Sequence, residues 1–199
     1  MQITSKTIAG KKVVFESILD EIPGGVGVNV TRLDYTKVNE TLSVDKRYLK
    51  AGAPVYVDIA TRTAEVCKSA LAINGGGATT PRVGKNHHFK VGDILNDGVT
   101  SSTISAIDET VAGYDILTVG EALLYAAGTK YGQGSATGTS AALTYTPNGL
   151  TKEDIFIGDG NADAAIVTIG SVRADALEYP INALYAAGLR GTKSLITIV

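Results

Sequence analysis

Apolar and polar positions alternate along much of this chain, and the alternation predicts strands. Val26-Gly27-Val28-Asn29-Val30-Thr31-Arg32-Leu33 repeats with period two, which reads as a strand with one buried face. Val13-Val14-Phe15 and Ile18-Leu19 come before it as short apolar runs, and Pro23-Gly24-Gly25 breaks the chain between them. The stretch from Asp34 to Lys50 is rich in charge and has no clear period. Residues 1–50 therefore read as an extended N-terminal arm with short strands.

From residue 51 the pattern sharpens. Residues 53–58 and 63–67 alternate on either side of a short polar reversal and predict a hairpin. Residues 74–81, Asn-Gly-Gly-Gly-Ala-Thr-Thr-Pro, predict a flexible loop. Residues 89–95 read as a strand bent at Gly92-Asp93, where glycine tolerates a bulge. Residues 103–108 and 114–119 are two more alternating segments, so 83–123 reads as a compact barrel fragment. Residues 126–148 form a Gly-rich loop or loose hairpin. Strands return at 154–157, 164–169 and 194–199. Between the last two, Leu177, Ile181, Leu184, Tyr185 and Gly188 share one helical face, which predicts a helix over about 173–188 with Pro180 in its first main turn. The fold class expected is mainly β: a small β-barrel or sandwich over 51–199 with one C-terminal helix, preceded by the arm.

Composition narrows the function classes. The chain has 199 residues, 18 Lys+Arg against 20 Asp+Glu, and a formal net charge of -2, so it lacks the cationic surplus that phosphate neutralisation needs. No apolar run approaches a bilayer span, and Met1 to Lys6 lacks a signal-peptide apolar region. Nucleic acid and membrane are therefore not expected partners. Cys67 is the one cysteine, so no internal disulfide forms. With 23 Gly, 24 Ala and 22 Thr, few charges and no Trp, the surface reads as one that neighbours cover.

The search for chemistry yields no catalytic, metal or cofactor residues. His87 and His88 are adjacent, and neighbours on a strand point to opposite faces, so they read as a polar turn leading into Phe89; a shared metal would also need ligands such as Cys67 and Asp93. Cys67 reads as a small buried core residue, with Lys68 beside it but pointing away. Asp159-Gly160-Asn161-Ala162-Asp163 has the first three ligands of a calcium loop. Ala164 stands where that loop needs Gly, and Gly170 where it needs Glu, so a tight turn is the reading. Gly24-Gly25-Val26-Gly27 and Gly75-Gly76-Gly77 fit neither nucleotide-binding glycine motif.

A resemblance supplies a function. Residues 49–58, Leu-Lys-Ala-Gly-Ala-Pro-Val-Tyr-Val-Asp, with Thr61-Arg62-Thr63-Ala64, resemble the start of the β-domain in head decoration and head-fibre proteins of tailed bacteriophages. Lys90-Val91-Gly92-Asp93-Ile94-Leu95, Ser105-Ala106-Ile107-Asp108 and Tyr114-Asp115-Ile116-Leu117-Thr118-Val119 continue the likeness. The segment from Ile166 through Tyr179-Pro180 to Val199 is similar to such chains in crAss-like and other Bacteroidetes phages. The resemblance implies an auxiliary capsid protein made in the host cytoplasm and placed on the virion exterior. Its implied partner is the major capsid protein lattice, and a homo-oligomer, such as a trimer on a three-fold position, fits that role. No collagen-like or coiled-coil shaft is present, which favours decoration over a whole fibre. The alternative is a carbohydrate-binding β-module, for which Tyr125, Tyr131 and Tyr145 are the candidates; an enzyme ranks last.

Overall fold

The computed structural model describes residues 14–37, 45–140 and 142–199, and the chain is mainly β. The chain begins one large sheet, leaves it to build a second unit, then returns to finish the first. β1 (Phe15–Glu21), β2 (Val26–Asn29), β4 (Pro54–Asp58) and β5 (Thr63–Val66) open the large sheet, and β3 (Tyr48–Leu49) lies outside it. After β5, Cys67 and Lys68 carry the chain into β6 (Ser69–Leu71), β7 (Arg82–Val83), β8 (Ile94–Asn96), β9 (Ser101–Asp108), β10 (Asp115–Val119) and β11 (Lys130–Gln133). The return adds β12 (Gly149–Thr151), β13 (Ile155–Phe156), β14 (Ala162–Ala164), β15 (Ile166–Val172), α1 (Ala183–Leu189) and β16 (Leu195–Ile198).

The large sheet runs β1-β15-β12-β4-β5-β2-β14, with β16 pairing parallel to β15 beyond the end of β12. The inserted strands run β6-β11-β8-β9-β10-β7. A bridge from Ala72 to Val83, flanked by Ile73 N donating to Arg82 O (2.9 Å) and Gly84 N to Leu71 O (3.1 Å), joins β7 back to β6. Residues 69–133 thus close into a small barrel, filled by Phe89, Leu95, Ile104, Leu117 and Tyr131. The large sheet buries Val26, Val28, Val55, Val57 and Ile166 on one side, with Leu49 and Ile155 of the β3·β13 ladder covering them. A third apolar cluster, Cys67, Leu150, Val172, Tyr185, Leu189 and Ile196, lies beneath α1.

Four expectations change. The described part of residues 1–50 does not stand apart as an arm, because β1 pairs along β15 and β2 sits between β5 and β14. Burying Val26, Val28 and Val30 favours that placement. The remainder of the arm, 1–13 and 38–44, lies outside the described residues. The helix expected over about 173–188 is a single 3-10 turn, Ala174–Ala176, and the separate seven-residue α1. Pro180 divides them by disfavouring helical backbone at Tyr179, and Asn182 caps the new start by accepting from Tyr185 N at 2.8 Å. Residues 89–95 are a strand only from Ile94. Gly92, at φ +94°, sits in a tight turn that Asp93 closes by accepting from Lys90 N at 2.7 Å. The Gly-rich loop 126–148 contains β11, and Gly134 and Leu143 then bridge as a loose hairpin.

Candidate functional site

The densest polar site is buried where the barrel meets the large-sheet unit. Val83 ends β7, Lys85, His87 and Phe89 follow it at alternating positions, and all four are buried. Asp115, the first residue of β10, pairs in register with Val83 and is fully buried. The barrel therefore aims a carboxylate, an amine and an imidazole at one place. From the other unit, Asp34 and Lys46 reach the same place.

The contacts form one network. Lys85 Nζ donates to Asp115 Oδ1 at 2.7 Å and to the Glu109 carbonyl at 2.8 Å. Lys46 Nζ donates to Asp34 Oδ2 at 2.9 Å, pairs with the Glu109 carboxylate, and lies 3.7 Å from Asp115 Oδ2. His87 Nδ1 accepts from Phe89 N at 3.2 Å, so the ring proton sits on Nε2, which faces Asp115 Oδ2 at 3.1 Å. That last contact is close but off line, leaving both atoms without a well-aligned hydrogen bond.

His88 belongs to a second chain of bonds. Its Nδ1 donates to the Asp34 carbonyl at 2.5 Å, so Nε2 accepts from Tyr179 Oη at 3.0 Å; that hydroxyl in turn accepts from Lys50 N at 3.2 Å. Asp34 N also donates back to the His88 carbonyl at 3.1 Å. The two histidines are thus not a solvated polar turn. Both are buried, because the Phe89 anchor draws its neighbours inward and each ring finds a partner there.

Burial and pairing shift the titrations in opposite directions. Burial pushes the Asp115 carboxyl up, but the facing His87 ring, the hydrogen bond from Lys85 and the nearby Lys46 charge outweigh it, so it lies below the usual range. Burial likewise raises Asp34, and Lys46 and Thr36 more than reverse it. Lys46 is lowered by burial but raised further by Glu109 and Asp34. Burial depresses His87, with Asp115 opposing it. His88, sealed from water, falls to about 4.

The other candidates lie elsewhere. Cys67 is buried with its Sγ 3.6 Å from the Tyr145 carbonyl, and burial pushes its thiol up, away from a reactive thiolate. Lys68 and Asp93 form a separate pair at 2.5 Å, with Gln133 Nε2 donating to Asp93 at 3.2 Å. Asn161 Oδ1 accepts from Val30 N at 3.1 Å and so serves the β2·β14 edge. Tyr131 is inside the barrel, Tyr125 is half-buried against it, and Tyr145 stacks on Tyr56 at 5.7 Å, so the three make no common platform. Among the described residues, no three His, Cys, Asp or Glu are placed to hold a metal ion, and no helix is long and apolar enough to cross a membrane.

Sequence reasoning missed the ionic cluster. One signal was present: positions 83, 85, 87 and 89 keep a strand's period and are anchored by Val and Phe at both ends. The recess beside the cluster, between Tyr48, Lys50, Asn86, His88 and Tyr179, measures about 10 Å³, room for about one water. The arrangement therefore ties the two units together through buried ion pairs. Comparison with known proteins finds no matching family model, curated relative or solved structure.

Proposed function

We propose that this chain is an auxiliary capsid protein, a head decoration protein or the base of a head fibre, that binds the outer surface of a phage major-capsid lattice and stabilises it. The sequence resemblance over residues 49–58, 90–95, 105–108, 114–119 and 166–199 suggests the class. The structural observation that carries the reading is the outer edge of the large sheet. Among the described residues β1 pairs only with β15, which leaves it at the edge of the described sheet, and Ile18 and Leu19 on it are 38% and 76% exposed. An extended segment of a capsid protein can add a strand there and cover both side chains.

The test is co-sedimentation with shells of the major capsid protein from the same phage. Wild-type protein pellets with the shells, and the double substitution Ile18→Lys, Leu19→Lys stays in the supernatant with its fold intact by circular dichroism. Failure of the wild-type protein to pellet overturns the reading.

One observation favours the carbohydrate alternative. Tyr48 and Phe156 stand edge to face at 5.1 Å on the β3·β13 ladder, and both are about 40% exposed, with Arg47 over Phe156 at 5.6 Å. Glycan-array binding that Phe156→Ala abolishes, with no pelleting on shells, would establish that reading in place of the first.

A further inference from the structure

The contacts around Asp115 suit a covalent step. We propose that Lys85 and Asp115 condense after folding into an intramolecular isopeptide bond joining the segment after β7 to the start of β10. Four features support it. The amine lies 2.7 Å from Oδ1, and both side chains are out of water, at 5% and 0% exposure. The Glu109 carbonyl accepts a second Lys85 proton at 2.8 Å and fixes the direction of the amine. Asp115 Oδ2 has no well-aligned hydrogen bond, while the His87 Nε2 proton waits 3.1 Å away. Lys46 Nζ places a positive charge 3.7 Å from that same oxygen.

The steps balance without any co-reactant. Lys85 passes a proton along its hydrogen bond to Oδ1, giving a neutral amine and a neutral acid. Removing both charges lifts the desolvation cost of a buried ion pair. The Nζ lone pair attacks Cγ, and negative charge develops on Oδ2, where His87 and Lys46 stabilise it. The Cγ–Oδ1 bond then breaks, and Oδ1 leaves as water with two of the three ammonium protons. The third stays on the new amide nitrogen, and Oδ2 becomes the amide carbonyl. Holding both groups in contact replaces the bimolecular encounter that makes amide formation slow in water, and a single turnover suffices. The buried pair Lys68–Asp93 lacks this arrangement, because Lys90 N and Gln133 Nε2 already occupy both carboxylate oxygens.

Intact-mass spectrometry of the denatured full-length protein tests the proposal independently of any capsid role. Wild-type protein is lighter than its sequence by one water, about 18 Da, because a desolvated lysine amine has displaced a carboxylate oxygen. Proteolysis then yields one branched peptide linking Lys85 to Asp115, and Lys85→Arg restores the full mass. A wild-type protein at full sequence mass overturns the proposal, with or without a folded variant. A mass loss that maps elsewhere, as a succinimide at Asp97-Gly98 or Asp159-Gly160 would, also overturns it.

Discussion

Acidification should weaken this protein through His88 well before the carboxylates titrate. His88 lies near 4 in the fold against 6.5 when exposed. Because the folded value is depressed, the unfolded chain takes up the proton first. His88 therefore adds stability that is complete above the unfolded value and lost as pH falls towards the folded one. Between about pH 7 and about pH 4.5, these two values give a loss on the order of 2 kcal/mol from this one residue. His87 is also depressed and acts in the same direction, whereas Asp34 is held below the ordinary carboxylate range and adds its own loss only at lower pH. Urea unfolding at several pH values measures the slope, and His88→Gln is the comparison, since Gln can meet Asp34 and Tyr179 without titrating. The variant is less stable throughout, but its loss over this range is smaller by about 2 kcal/mol. Parallel losses in the two proteins would refute the buried, neutral assignment of His88.

Three further outcomes follow from the packing. Lys46→Met removes the amine that neutralises Asp34, leaving that mostly buried carboxylate without its cation; denaturant unfolding should register a loss of about 3 kcal/mol. Gly170→Ala places a Cβ 2.4 Å from the Ser17 carbonyl across the β1·β15 ladder. It should cost about 1–3 kcal/mol by calorimetry and speed hydrogen exchange along β1. Cys67 should not react with a thiol reagent in the native protein and should react stoichiometrically once unfolded, because it is sealed beneath α1. Fast native labelling would place Cys67 at the surface.

How much could be read from the sequence depended on range. Val26 to Val30, residues 53–58 and residues 63–67 announce themselves because period-two burial is a local property. The barrel was legible over 83–123 but not its closure, which needs β6 and β11 from either side of that stretch to pair. The helix failed locally, since apolar spacing continues through Pro180 although the backbone cannot. The ionic cluster failed for the opposite reason. Asp34, Lys46, Lys85, Glu109 and Asp115 each look like ordinary surface charge, and only the insertion of the barrel into the large-sheet unit brings them together.

The position of those charges has a mechanical reason. Each unit already has its own apolar core, one around Val28 and Val55 and one around Phe89 and Leu117. The chain crosses between them just twice, at Cys67-Lys68 and through the segment between β11 and β12. Apolar contact alone is non-directional and would let two such bodies settle in several orientations. A buried amine meeting specific carboxylates accepts one orientation only, at a desolvation cost of several kcal/mol per ion that mispairing would leave unrepaid. Tyr185 fixes a second point, its hydroxyl donating to Lys68 O at 2.7 Å and accepting from Gln133 N at 3.0 Å. For a protein proposed to brace a lattice, this rigidity matters more than net stability. A joint that flexed would lose its ordering entropy on docking, whereas one fixed beforehand leaves the contact energy at β1 free to hold the shell.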